Sequence, residues 1–153
     1  MLLQTTRQTR VSGSRFTRLM DLYADNYWRL TRLFGPDRLE PGRYLSCCGD
    51  GIDLSLAMLE RHPYTLEFSL SYLFPDAESG GPDPSANVRF YRDARVAEVT
   101  TCYVGTRMAD VLGPCPALRT VFDHKVRMNA FLNKWLDYLD ERGHSRFTLA
   151  PAA

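Results

Sequence analysis

The chain contains no run approaching the ~18 consecutive apolar residues of a membrane-spanning helix. Its first residues also lack the apolar stretch of about 7–15 residues that marks a secretory signal. A Walker A loop and a GxGxxG turn are missing, which leaves nucleotide phosphates without a recognisable cradle. GxSxG is missing too, and with it the strained nucleophile elbow of many hydrolases. HExxH does not occur, so no helix-borne zinc site is foreseen. Charge of one sign is also lacking. Lys+Arg number 19 against Asp+Glu 18, and a net charge of +1 provides no global field to draw nucleic acid or a membrane surface.

Cysteine and histidine are sparse. The four cysteines, at 47, 48, 102 and 115, form no CxxC pair. That spacing speaks against structural zinc and for free thiols in a reducing cytosol, so the expected location is cytoplasmic. The three histidines are His62, His124 and His144, and pattern alone gives none of them a serine or cysteine partner. No metal site or cofactor is expected from these residues.

What is present is a globular composition. The 153 residues are 44% hydrophobic and 24% charged, enough for a single domain with a sizeable core. The clearest element is a helix over residues 123–143. Met128, Phe131, Leu132, Trp135 and Leu139 fall on one stripe of a 3.6-residue period. Asp123 reads as its N-cap, with Val121 and Phe122 as a staple before it, and Gly143 as its C′ residue. A second amphipathic helix is expected from a cap at Ser14. Phe16, Leu19, Met20, Tyr23, Tyr27, Leu30, Leu33 and Phe34 form its buried face, and Gly35-Pro36 ends it. Residues 1–13, with Arg7 and Arg10, read as a flexible basic arm.

Between the helices the period changes to two. Strands are expected at residues 43–48 and 52–60, around a hairpin at 49–51, and at 64–74. In the last of these, Tyr64, Leu66, Phe68, Leu70, Tyr72 and Phe74 alternate with Thr65, Glu67, Ser69 and Ser71, as in a sheet covered on one side. Residues 75–86 read as a Pro/Gly/Asp/Ser loop. A hairpin follows, with strands at 87–92 and 95–104. In the second strand Ala97, Val99 and Thr101 are expected to alternate with Val96, Glu98, Thr100 and Cys102. Residues 105–120 look irregular, and 144–153 look like a patternless tail. The expected fold is therefore α+β: an N-terminal helix, a five-stranded antiparallel meander and a C-terminal helix, with both helices on one face of the sheet. The single domain spans residues 14–143.

Two segments carry a family resemblance. The hairpin VRFYRDARVAEV (residues 88–99) and the helix DHKVRMNAFLNKWLDYL (residues 123–139) resemble the YqiB-like group of small proteobacterial proteins, classed as a domain of unknown function. RFTRLMDLYADNYWRL (residues 15–30) resembles it less specifically. The matching positions are Tyr91, Asp93, Val96, Ala97, Glu98 and Val99 in the hairpin, and Asp123, Lys125, Asn129, Phe131, Leu132 and Trp135 in the helix. The similarity covers most of residues 15–143, with the loops at 75–86 and 105–120 poorly matched. It implies a one-domain cytoplasmic bacterial protein and brings no activity, cofactor or catalytic residue with it.

The polar constellation that stands out is Asp93, Arg95 and Glu98 on the last hairpin, with Asp123, His124, Lys125, Arg127 and Asn129 at the head of the closing helix. A helix start with two cations suits an anion, although a capping Asp123 would occupy the same N–H groups. Arg89, Tyr91, Glu98 and Thr100 are expected to share the wet face of the sheet and offer a recognition surface. The leading expectation is a non-enzymatic binding or adaptor domain using that face or a helix–sheet cleft, for a protein partner or a small anionic ligand. One alternative is a small hydrolase-like enzyme for an anionic metabolite, with Glu98, Asp123 and His124 as acid/base groups. Another is an RNA-associated regulator acting through the N-terminal arginines, though their sparseness speaks against nucleic acid.

Overall fold

The structure is a computed structural model that describes residues 2–48, 52–73, 85–103 and 118–152. Its core is assembled from period-two strands. β3 (Thr65–Leu73) buries Leu66, Phe68 and Leu70 on one side and turns Thr65, Glu67, Ser69 and Ser71 to the other. Its neighbours β2 (Asp53–Arg61) and β4 (Ser85–Tyr91) bring matching apolar residues to the same side. Leu70 faces Leu56 and Ala86, while Phe68 faces Met58 and Val88. β1 (Gly42–Ser46) pairs with β2, and β5 (Val96–Tyr103) pairs with β4, all antiparallel.

The apolar side is covered by two helices. α1 (Leu2–Leu33) contributes Tyr27, Leu30 and Leu33, with Phe34 just beyond its end. α2 (Leu118–Glu141) contributes Met128, Leu132, Trp135, Leu136 and Leu139. The Tyr27 ring stacks on Phe90 at 4.5 Å, and Trp135 meets Tyr72 at 5.2 Å. Burying each such large side chain contributes roughly 1.5–3 kcal/mol, which outweighs the weak intrinsic stability of either helix. Aromatic side chains thus occupy the space between the layers. The α+β class, with helices at both ends of the chain and an antiparallel sheet between, is as the sequence led one to expect. No helix is long and apolar enough to cross a membrane among the described residues.

Several local expectations are corrected. The tail is not patternless: β6 (Leu149–Pro151) pairs with β1, so the sheet has six strands in the order β5-β4-β3-β2-β1-β6. The meander therefore gains a final strand from the far end of the chain. Helix starts also moved. The α1 backbone is helical from Leu2, so Ser14 lies inside it and caps nothing. The α2 helix begins at Leu118, so Asp123 sits in its second turn and pairs with Arg15 at 3.4 Å. In both cases a capping residue type was present, but the preceding residues continued the helix.

Burial on α1 is also narrower than its apolar period suggests. Phe16 is 57% exposed and Met20 38%, while Leu19, Tyr27, Leu30 and Leu33 are buried. Tyr64 precedes β3 and is 66% exposed. The alternation in β5 holds as far as Val99 and then breaks. Val88 faces Val99 but Asn87 faces Thr101, which leaves Thr100 as a bulge. Thr101 therefore joins the open face, where its hydroxyl accepts from Asn87 Nδ2 at 2.8 Å. A second bulge at Leu59 interrupts β2 between Met58 and Glu60. The hairpin expected at residues 49–51, most of the loop at 75–86 and most of the segment 105–120 lie outside the described residues.

Both helices end as the sequence indicates. Gly35, at φ 58, breaks α1 and leads into a short 3-10 turn, η1 (Pro36–Arg38). Gly143, at φ 96, forms the left-handed end of α2. Its N–H donates to Asp140 and that of His144 donates to Leu139, the paired bonds of a Schellman motif. This turn aims His144 back towards the sheet.

Candidate functional site

On the open face of the sheet, Arg89, Tyr91 and Glu98 come together with Glu67. Arg89 Nε donates to Glu67 at 2.8 Å, and the Tyr91 hydroxyl donates to Glu98 at 2.8 Å. The hydrogen bond to Tyr91, then the one to Glu67, hold the Arg89 guanidinium even more firmly charged than usual. Partial burial, and next the Glu98 carboxylate, raise the Tyr91 hydroxyl above its ordinary value. From the other side of edge strand β5, Tyr23 of α1 bonds the same carboxylate. Burial and then Glu98 push its hydroxyl up to about 12. These groups satisfy one another, so the cluster ties α1 and three strands together. Recruiting it for a ligand would break existing bonds.

The other expected residues do not converge on it. Asp93 Oδ1 accepts from the Ala94 N–H within the β4–β5 turn, where Arg95 takes a φ of 56. Both are exposed. Asp123, His124, Lys125 and Arg127 lie along α2 past its start, so their backbone N–H groups are not the free donors of a helix terminus. Among the described residues no hydrogen bond or ion pair joins Glu98 to His124 or Asp123. Nor do any three His, Cys, Asp or Glu stand close enough to hold a metal ion among those residues. Cys47 and Cys48 form no disulfide, and Asp53, which accepts from the Cys47 thiol, pushes that thiol up, away from the reactive thiolate.

One buried cluster escaped pattern reading. Ser46 Oγ lies 2.7 Å from His144 Nδ1 and 2.6 Å from Thr148 Oγ1, and Ser46 is fully buried. A Ser–His pair suggests a nucleophile, but Ser46 is closed off from solvent and its hydroxyl is shared between His144 and Thr148. The direction of each bond follows the His144 tautomer. Thr148 in turn reaches the Ser145 carbonyl at 3.0 Å. The cluster is a latch that fastens the tail to β1.

Open concavities among the described residues include one of about 610 Å³ along α1, lined by Ser14, Thr17, Arg18, Asp21, Leu22 and Asp25, and one beside this latch. Pairing places Tyr44 opposite Leu56 and Pro151, on the apolar side of the sheet. At this end the floor is made by Tyr44, Leu149 and Pro151, and the walls by Phe34, Leu39 and Phe147, around a groove of about 370 Å³. Arg38 of η1 and Arg146 of the tail also line it, and among the described residues no acidic one does. Phe147 is 85% exposed, with the Arg146 guanidinium 4.9 Å from its ring centroid. Neither arginine side chain has a carboxylate partner among the described residues. The sequence contained one signal of this region: Phe147, Leu149 and Pro151 alternate, and a closing proline suits an edge strand.

No curated protein and no solved structure matches the chain. A family model does match, over residues 29–145, from the second half of α1 to the residue after the imidazole of the latch. The matched span holds every strand from β1 to β5 and the whole of α2, and on that ground the chain belongs to the family described as "Protein of unknown function (DUF1249)".

Proposed function

We propose that this protein is a non-enzymatic cytoplasmic binding domain, and that the groove between η1, the tail and the β1–β6 end of the sheet is its working surface. We also propose that within its family it stands with the YqiB-like bacterial group, on the likeness of residues 88–99 and 123–139. The observation that carries the binding reading is Phe147. An aromatic side chain 85% exposed, beside two arginines without counter-ions and over an apolar floor, is a costly arrangement unless something covers it. The open-face cluster of Glu67, Arg89, Tyr91 and Glu98 is closed on itself, in hydrogen bonds that hold the fold.

The test compares wild-type protein with Phe147→Ala, both recovered from native cytosol and analysed by native mass spectrometry for bound small molecules and proteins. The expected outcome is a bound species retained by wild type and lost from the variant, with unchanged circular dichroism. The same species retained equally by both would overturn the assignment of the groove.

A further inference from the structure

We infer that the groove takes a small amphipathic carboxylate, with an apolar body about the size of a ring or short acyl chain. This inference rests on the groove reading above and names its ligand.

Three observations narrow the chemistry. The first is charge. Arg38 and Arg146 bring two guanidinium groups to one groove whose lining contains no acid among the described residues. A planar guanidinium matches a carboxylate as a two-pronged donor, and an arginine without a counter-ion beside an apolar surface binds such a group with little competition. A cationic ligand would meet two like charges here.

The second is the apolar lining. Tyr44, Leu39, Leu149 and Phe147 present ring and aliphatic surface beside the two charges. The Tyr44 hydroxyl is already donated to the Glu40 carbonyl at 2.8 Å, so that ring offers the groove mainly its apolar faces. A bare inorganic anion would leave this surface wet, whereas an anion with an apolar body covers it. At about 370 Å³ the groove lies near the lower end of the roughly 300–1,000 Å³ of small-molecule sites.

The third is the edge of the sheet, which decides against a peptide. β6 is three residues long. The Ala152 N–H donates inwards to the Arg43 carbonyl, so Ala150, two residues earlier, points its backbone the same way. The outward positions are Leu149 and Pro151, and the proline has no N–H. An added strand would find one outward donor, too little for β-augmentation.

The closing experiment titrates the full chain by calorimetry with octanoate and with naphthoate, and in parallel with octanol and inorganic phosphate. It then repeats the carboxylates on Arg38→Ala/Arg146→Ala. Both arginines are exposed, so the double variant keeps its core. The expected result is saturable binding of at least one carboxylate, weakened about tenfold or more in the double variant. Octanol and phosphate should bind far more weakly. Failure of both carboxylates, equal binding of octanol or phosphate, or an unaffected double variant would each overturn the inference. If the carboxylates fail while the species recovered from cytosol still depends on Phe147, the ligand class falls and the binding domain stands. If Phe147→Ala changes neither readout, both fall.

Discussion

Asn129 shows how one side chain can settle an edge. Val99 lies on edge strand β5, and its outward N–H donates to Asn129 Oδ1 at 2.9 Å. Asn129 Nδ2 donates to the Lys125 carbonyl at 2.8 Å, and its own carbonyl accepts from Asn26 Nδ2 at 3.1 Å. Both asparagines are fully buried. A backbone donor that would template aggregation is thus satisfied by a helix side chain. Asn129→Ala should cost about 1–3 kcal/mol in denaturant unfolding, because it strands the Val99 N–H away from water. Asn87→Ala, on the open face, should stay within roughly 0.5 kcal/mol. Equal effects of the two would refute the account. At this scale the sequence was ambiguous. Asn129 reads as a polar residue on an amphipathic helix, and nothing local announces a partner 30 positions away. Asp123 and Ser14 had the chemistry of caps, but a cap exists only where the preceding backbone leaves the helix.

Among the elements, β6 depends most on contacts distant in sequence. Three residues ending in proline cannot hold a strand by propensity. It is held by the turn at Gly143, which points His144 at Ser46, and by Thr148, which bonds both Ser46 and the Ser145 backbone. Ser46→Ala should lower stability by about 1–3 kcal/mol, since it leaves the buried His144 and the half-buried Thr148 each short of a hydrogen bond. It should also speed amide exchange at Ala150 and Ala152 more than at Leu56 or Phe68. Uniform exchange across the sheet would show that the latch does not govern β6. The longer strands were far easier to read. In β3 the alternation of Leu66, Phe68 and Leu70 with Glu67 and Ser69 admits one register with a buried face.

Across the whole molecule, α1, α2 and the sheet are joined by polar seams as well as by the core. Asn133 reaches Asn26 and Asp25, and Arg29 bridges Asp25 and Asp137 between the helices. Tyr23 fastens α1 to β5 through Glu98. Its hydroxyl is raised from 10.0 to about 12, so folding favours the neutral phenol. The stability it contributes is fully present below pH 10.0 and is lost as pH rises towards about 12. Tyr23→Phe should be less stable than wild type at neutral pH, by about 1–2 kcal/mol for a hydrogen bond to a charged acceptor. It should also lose less stability than wild type across that alkaline window. Denaturant melts at stepped pH, with tyrosinate absorbance followed in parallel, check both. An identical alkaline decline in the two proteins would contradict the assignment.

The sequence by itself determined what short-range periodicity can determine. It called for two amphipathic helices, a one-sided antiparallel sheet, and helix ends at Gly35 and Gly143, because side-chain period and glycine's tolerance of positive φ act within a few residues. Tertiary structure decided what depends on distant partners. It placed β6 beside β1, turned Ser46 and His144 into a latch, dispersed the polar residues of the hairpin and closing helix, and gathered Arg38, Arg146 and Phe147 around one groove. Those residues are joined by burial and hydrogen bonds across some hundred positions of chain, as between Ser46 and His144, and no local pattern encodes such a separation.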